Sequence, residues 1–222
     1  MESGSMEKLK TFIEFACQVG VFMNLPESQE KILLYLALNG EKDAYGTHKN
    51  TGIKLTTTQA AMKGLDERGL ITALKIETSI KGQKKVIYRL TEKGLIEAIK
   101  CCYKGNNIRH EDILRIINTY QNSGPLLFKH WDELVRADPD LLPELELLLF
   151  KAISLSPLTP KDVDNVFFLE VTSSIDLKTT QGRIIDTLLT VPGLTGVFQE
   201  VLNDRIDFHQ KQLEMLSKYA CR

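Results

Sequence analysis

The chain has 222 residues, 43% hydrophobic and 26% charged, with a formal net charge of −1; this is the balance of a globular protein and excludes a disordered or collagen-like chain. No apolar run approaches the roughly 20 residues needed to span a bilayer, and the start Met1–Lys10 lacks the basic and long apolar regions of a secretion signal. The small net charge hides an asymmetry: residues 27–105 carry 14 basic and 9 acidic side chains, a net of +5, and residues 109–222 carry 12 and 17, a net of −5, so a polyanion is expected to dock on the first half only.

Cys17, Cys101, Cys102 and Cys221 form no C-x-x-C spacing and have no Cys/His ligand pattern around them, so they are expected to be the reduced thiols of a cytoplasmic protein. The four histidines, His48, His110, His130 and His209, are scattered along the chain, and neither a metal nor another cofactor is expected.

Taken in order, Leu9, Phe12, Ile13, Ala16 and Val19 recur near the helical period and predict an N-terminal helix over residues 1–24. Such a helix is marginal alone and needs a larger surface to pack on, for which a partner subunit is one candidate. Pro26 suits a first helical position, and Ile32, Leu33, Leu36 and Ala37 form the apolar stripe of the next helix. Asn39-Gly40 ends it. Asp43 is a candidate cap for a short segment that Thr51-Gly52 breaks.

The next stretch, Thr56–Leu70, has the clearest internal logic. Thr56 is a candidate cap, and Thr58, Ala61, Met62 and Leu65 recur at i, i+3, i+4 and i+7 to give a core face. Thr57, Gln59, Ala60 and Lys63 fall on other faces, and Gly69 closes the helix. A hairpin is then predicted. Leu74 and Ile76 alternate with Lys75 and Glu77, and Val86, Tyr88 and Leu90 alternate with Lys85, Ile87 and Arg89, so one buried face is expected. Its turn carries Lys81, Gly82, Gln83 and Lys84. Thr91 caps a further helix bearing Leu95, Ile96 and Ile99.

Lys104–Asn107 marks the boundary to an acidic half that reads as helices with short breaks. Pro125 opens one carrying Leu127, Trp131 and Leu134. Asp138-Pro139 is a cap followed by a first-turn proline. The segment through Leu145–Phe150 is apolar nearly all round and is expected to be buried. Thr159-Pro160 opens another helix, and Pro192-Gly193 separates the helix of Ile184–Leu189 from a last one over about Leu194–Tyr219. There Leu194, Val201, Phe208 and Met215 repeat every seven residues, while Leu202, Ile206, Leu213 and Leu216 lie on another side. Arg205 and Gln212 interrupt the seven-residue seam, and the two apolar sides predict contact both with the chain's own body and with a second subunit; the rival expectation is one long core helix of a monomer.

The order helix, short helix, helix, hairpin is the layout of a winged helix-turn-helix. Leu65-Asp-Glu-Arg-Gly-Leu-Ile71 and Tyr88-Arg-Leu-Thr-Glu-Lys-Gly94 resemble the two ends of that domain in MarR-type and PadR-type transcription regulators, over about residues 27–103. The resemblance implies that the first phrase closes a recognition helix and the second leaves the wing. The expected fold is therefore mainly α: an N-terminal helix (1–24), a winged-helix DNA-binding domain with a two-stranded wing (25–105), and an all-helical dimerisation or regulatory domain (106–222).

On that layout Gln59 would pair with adenine, Ala60 would touch a thymine methyl, and Thr56 and Thr57 would meet a base or phosphate. Lys63, Lys54, Lys49 and His48 would meet phosphates, and Lys81, Gln83, Lys84 and Lys85 would track the backbone or minor groove. Each has a plainer account: a lysine cluster at a hairpin tip commonly only keeps a strand edge soluble. Co-occurrence on one face favours double-stranded DNA, bound by a homodimer. The rival expectation is a winged-helix adaptor that binds protein, with Asp66, Glu67 and Glu77 diluting the positive field. No P-loop, G-x-G-x-x-G, H-E-x-x-H or G-x-S-x-G occurs, so no enzyme is expected. Cys101-Cys102 would sense oxidants only with an exposed, acidic thiol. Trp131, Phe128 and Phe150 are read as core rather than as the lining of a small-molecule pocket, and no residue supports an effector.

Overall fold

The computed structural model describes residues 7, 11–14, 16, 21–78, 84–104, 109–155, 160–173 and 180–220, with the side chains of 77, 84, 160, 161, 181 and 218–220 set aside. The protein is mainly helical with one small antiparallel sheet. Residues 11–14 are helical. Ile13 and Ala16 are buried, and the Phe12 ring meets Phe150 edge-on at 5.7 Å. The N-terminal segment thus finds its larger surface within its own chain. Leu9, Cys17 and Val19 lie outside the described residues.

Helix α1 (Glu27–Asn39) follows, with Pro26 as its N-cap rather than its first residue. It buries Ile32, Leu33, Leu34, Leu36 and Ala37, each worth roughly 1.5–3 kcal/mol for the larger side chains. Gly40 ends it at φ +71°, which glycine adopts at no steric cost. Strand β1 (Lys42–Asp43) leads to α2 (Ala44–Thr51), where the Asp43 carboxylate accepts from the Gly46 N–H at 3.1 Å. Helix α3 (Leu55–Glu67) buries Thr58, Ala61, Met62 and Leu65, the face that the periodicity selects. It ends in paired bonds from Leu70 N–H to Leu65 O and from Gly69 N–H to Asp66 O, with Gly69 at φ +68°, the Schellman arrangement.

Strands β2 (Ile71–Thr78) and β3 (Lys84–Leu90) form the hairpin, and β1 adds beside β3, so the sheet has three strands in the order β1-β3-β2 rather than two. The expected single buried face is not kept: Leu90 is buried on it, but Ile87, which the alternation places on the other face, is buried as well, while Val86 and Tyr88 are only half-buried. Ile71, Ile87 and Leu90 are buried, whereas Leu74 and Ile76 are 37% and 64% exposed. A register shift between Ala73 and Lys75 bulges the strand at Leu74, and the outer half of the hairpin extends beyond the core that would cover it.

Helix α4 (Glu92–Tyr103) is buried on nearly every side and packs against α1, α5 (His110–Thr119) and α8 (Leu142–Leu155). Between α5 and α8 the expected helix after Pro125 is broken at His130 into α6 (Leu126–Lys129) and α7 (Trp131–Ala137). The buried His130 ring fills the space beside Gly193, where a side chain would collide with it. Asp138 makes no cap bond to the short 3-10 turn Pro139–Leu141; its carboxylate is held by Arg183 through bonds of 2.6 and 2.7 Å. Helices α9 (Pro160–Thr172), α10 (Thr180–Thr190) and α11 (Pro192–Ala220) complete the chain. One buried cluster runs from Ile13 to Phe198 and includes Trp131, Phe128 and Phe150. Helix α11 joins it through the buried Leu194 and Phe198, with Val201 and Leu202 packed half-buried against it. From Asn203 onward its described side chains are exposed apart from the half-buried Arg205.

Candidate nucleic-acid interface

The two phrases that carry the family resemblance meet in space. Thr91 sits at the crossing: its hydroxyl accepts from Gly94 N–H at 3.0 Å and donates to Gly69 O at 2.7 Å, while its own N–H reaches Leu70 O at 3.1 Å. Lys93 Nζ donates to Arg68 O at 3.0 Å. Gly94 lies so close to Leu70 that a β-carbon would strike the Leu70 carbonyl. This latch joins the end of α3 to the start of α4 and so holds the hairpin, which lies between them in sequence, at a set angle to α3.

The N-terminal half of α3 is bare. Thr56, Thr57, Gln59, Ala60 and Lys63 are all exposed, and no acidic residue lies in its first turn. Thr56 is not the cap. The helix starts at Leu55, and Lys54 precedes it without a side-chain cap bond. Thr56 lies inside the first turn instead, and the Thr58 hydroxyl donates back to Lys54 O at 3.1 Å and Ile53 O at 3.3 Å. The first N–H groups of α3 therefore lack an intrahelical acceptor and sit at the positive end of its dipole. Lys54 and Lys49 are exposed on the two sides of the α2–α3 turn. His48 is engaged in that turn: Nδ1 lies 2.6 Å from Ile53 O, so that nitrogen carries the proton and is occupied by a structural bond.

Two of the expected cations are paired. Lys63 Nζ is 3.7 Å from Glu67, with both side chains largely exposed, a pair worth only about 0.3–0.5 kcal/mol and readily exchanged for a phosphate. Lys85 Nζ is 3.5 Å from Asp43, whose carboxylate is 11% exposed. That bond turns Lys85 back toward β1 and away from the hairpin tip. Lys84 lies at the start of β3, with its side chain outside the described residues, and Lys81 and Gln83 lie outside them altogether.

No family model and no curated protein sequence matches the chain. What the site offers must therefore be read from its own chemistry. Sequence reasoning missed Tyr45, which is 63% exposed on the first turn of α2 with its ring 6.1 Å from that of His48. An aromatic two residues after a capping aspartate, on an otherwise polar helix, was the available signal. Cys101 and Cys102 do not have the exposed, acidic thiol that oxidant sensing asks for: both are buried, and burial pushes both thiols up to about 12. No cluster of three or more His, Cys, Asp or Glu that could hold a metal occurs among the described residues, and none of their helices is long and apolar enough to cross a membrane.

Proposed function

We propose that the protein is a winged helix-turn-helix regulator that binds duplex DNA sequence-specifically as a homodimer, with α3 as recognition helix and β2–β3 as wing. The observation that carries this is the bare amino-terminal half of α3. It is slim, acid-free and flanked by Lys49 and Lys54, and a latched hairpin stands beside it. Small and polar side chains there suit close approach to base edges, with Gln59 placed for adenine and Ala60 for a thymine methyl. The free N–H groups and the two lysines suit phosphates.

The homodimer is supported by α11. Beyond Asn203 it presents Ile206, Phe208, Leu213, Met215 and Leu216, each about half or more exposed. Leu202, Ile206, Leu213 and Leu216 keep the alternating four- and three-residue spacing of a coiled-coil seam, with His209 in the gap. Selection of bound duplexes from a random pool tests the function. It should return two half-sites whose centres lie about one helical turn, roughly 34–36 Å, apart, with affinity falling steeply as salt rises. A second reading, a winged-helix adaptor for protein, is favoured by exposed Leu74 and Ile76 on the hairpin. No enriched sequence, together with salt-insensitive binding, would establish that reading instead.

A further inference from the structure

A cleft of about 540 Å³ opens at the root of the hairpin, between the α1–β1 connection, the first turn of α4 and the end of α5. Its volume falls within the range of small-molecule sites. Leu90 and Leu95, both buried, form its floor. Its walls carry three charges: Arg89 on β3, Glu41 before β1, and Glu92 at the start of α4. Thr72 faces Arg89 across the β2–β3 pair, and Tyr120 closes the inner side. The Tyr120 hydroxyl donates to Leu36 O at 3.4 Å, and burial followed by the charge of Glu41 raises its phenol to about 12. Glu41 thus projects its field into the half-buried inner wall.

Arg89, Glu41 and Glu92 form no salt bridge or hydrogen bond among the described residues. A cation and two anions therefore share one cleft without reaching each other, which leaves space for a molecule that carries both signs. A carboxylate would meet the Arg89 guanidinium, whose planar fork binds it in two bonds, close to the positive end of α4. An ammonium group would meet Glu41 or Glu92.

We propose that this cleft is a binding site for a small zwitterion of the α-amino-acid class. A basic amino acid, with one carboxylate and two cationic groups, answers all three wall charges. The site lies outside the exposed face of α3 and does not depend on the DNA-binding reading. It joins the root of the hairpin to the helical half, so an occupant would contact both.

Calorimetric titration of the full-length chain with L-lysine, without DNA, tests the site. A saturable one-to-one isotherm is expected. It should weaken about tenfold or more in Arg89→Gln and in Glu41→Gln, the loss of one charge-assisted pair, and vanish for Nα-acetyl-L-lysine methyl ester, which lacks the free carboxylate and α-amine. Thermal melts of both variants without ligand should match the parent, since neither side chain is packed in the core. Absence of saturable heat at millimolar L-lysine would overturn the proposal. So would an isotherm unchanged in both variants. Weakening in Arg89→Gln, with Glu41→Gln and Glu92→Gln both unchanged, would mean a plain carboxylate ligand and would overturn the zwitterion class.

Discussion

At the scale of single residues, the strictest demand falls on Gly94. Its Cα lies against the Leu70 carbonyl where α4 leaves the sheet, and any β-carbon there would strike backbone, which cannot swing aside as a side chain can. Gly94→Ala is therefore expected to lose about 2–4 kcal/mol, at or above the usual cost of overpacking, seen as a lower urea midpoint with an unchanged slope. Gly64 makes a useful contrast. A β-carbon there would meet only the end of the Gln29 side chain, which can rotate away, so Gly64→Ala in mid-helix should be close to neutral.

Asp164 makes a second residue-scale case. Its buried carboxylate accepts from Leu126 N–H at 2.7 Å and Leu127 N–H at 2.9 Å. Burial raises its pKa above 3.8 even though both bonds oppose the rise. A folded-state pKa above the unfolded one means that the folded state binds the proton more tightly. The stabilisation is then full below the unfolded pKa and is lost as pH rises through the folded one. Asp164→Asn cannot ionise and keeps one acceptor. Urea midpoints measured from acid to neutral pH should therefore fall less for the variant than for the parent; equal declines would mean that other groups set the slope.

At the scale of elements, the two phrases around the hairpin were legible as a pair in the sequence, but their reason was not. Thr91 and Gly94 matter because of where Gly69 and Leu70 lie, some twenty residues earlier. The buried face of α3, the Asp43 cap and the Gly52 stop were readable because each depends on local period or local backbone bonding. Strand β1 was not, since two residues paired to β3 leave no pattern. The exposure of Leu74 and Ile76 was hidden for a related reason: alternation reports which residues share a face, not whether anything covers it.

The same distinction separates the lysines. Lys49 and Lys54 are exposed beside α3, whereas Lys85 is committed to Asp43. If each of the first two neutralises one phosphate, replacing both with alanine should reduce the slope of log affinity against log salt by about two. Lys85→Ala should leave that slope nearly unchanged. A slope that falls with Lys85→Ala and not with the pair would place the hairpin, rather than the α2–α3 turn, on the phosphates.

At the scale of the whole molecule, the body and the arm follow different rules. Through Phe198 every helix has a covered face, and the apolar stripe of α11 is spent on its own body at Leu194 and Phe198. Beyond Asn203 the same helix runs on through Ala220, about 27 Å at 1.5 Å per residue. Apart from the half-buried Arg205 its described side chains take no cover from the body, yet it keeps two apolar stripes. An isolated amphipathic helix of that length is marginal in water, so its exposed Ile206, Leu213 and Leu216 need a surface to pack against. If a second copy covers the Leu213–Leu216 stripe, placing a charge at both positions should abolish association without touching the core. Leu213→Glu with Leu216→Glu is thus expected to halve the mass measured by light scattering. Circular dichroism should lose at most the signal of the arm, and the melting of the body should not change. The double variant should bind a single half-site as the parent does, and lose the added affinity of two half-sites. A parent that is already monomeric at micromolar concentration would sink the dimer, and the arm would then require a different partner.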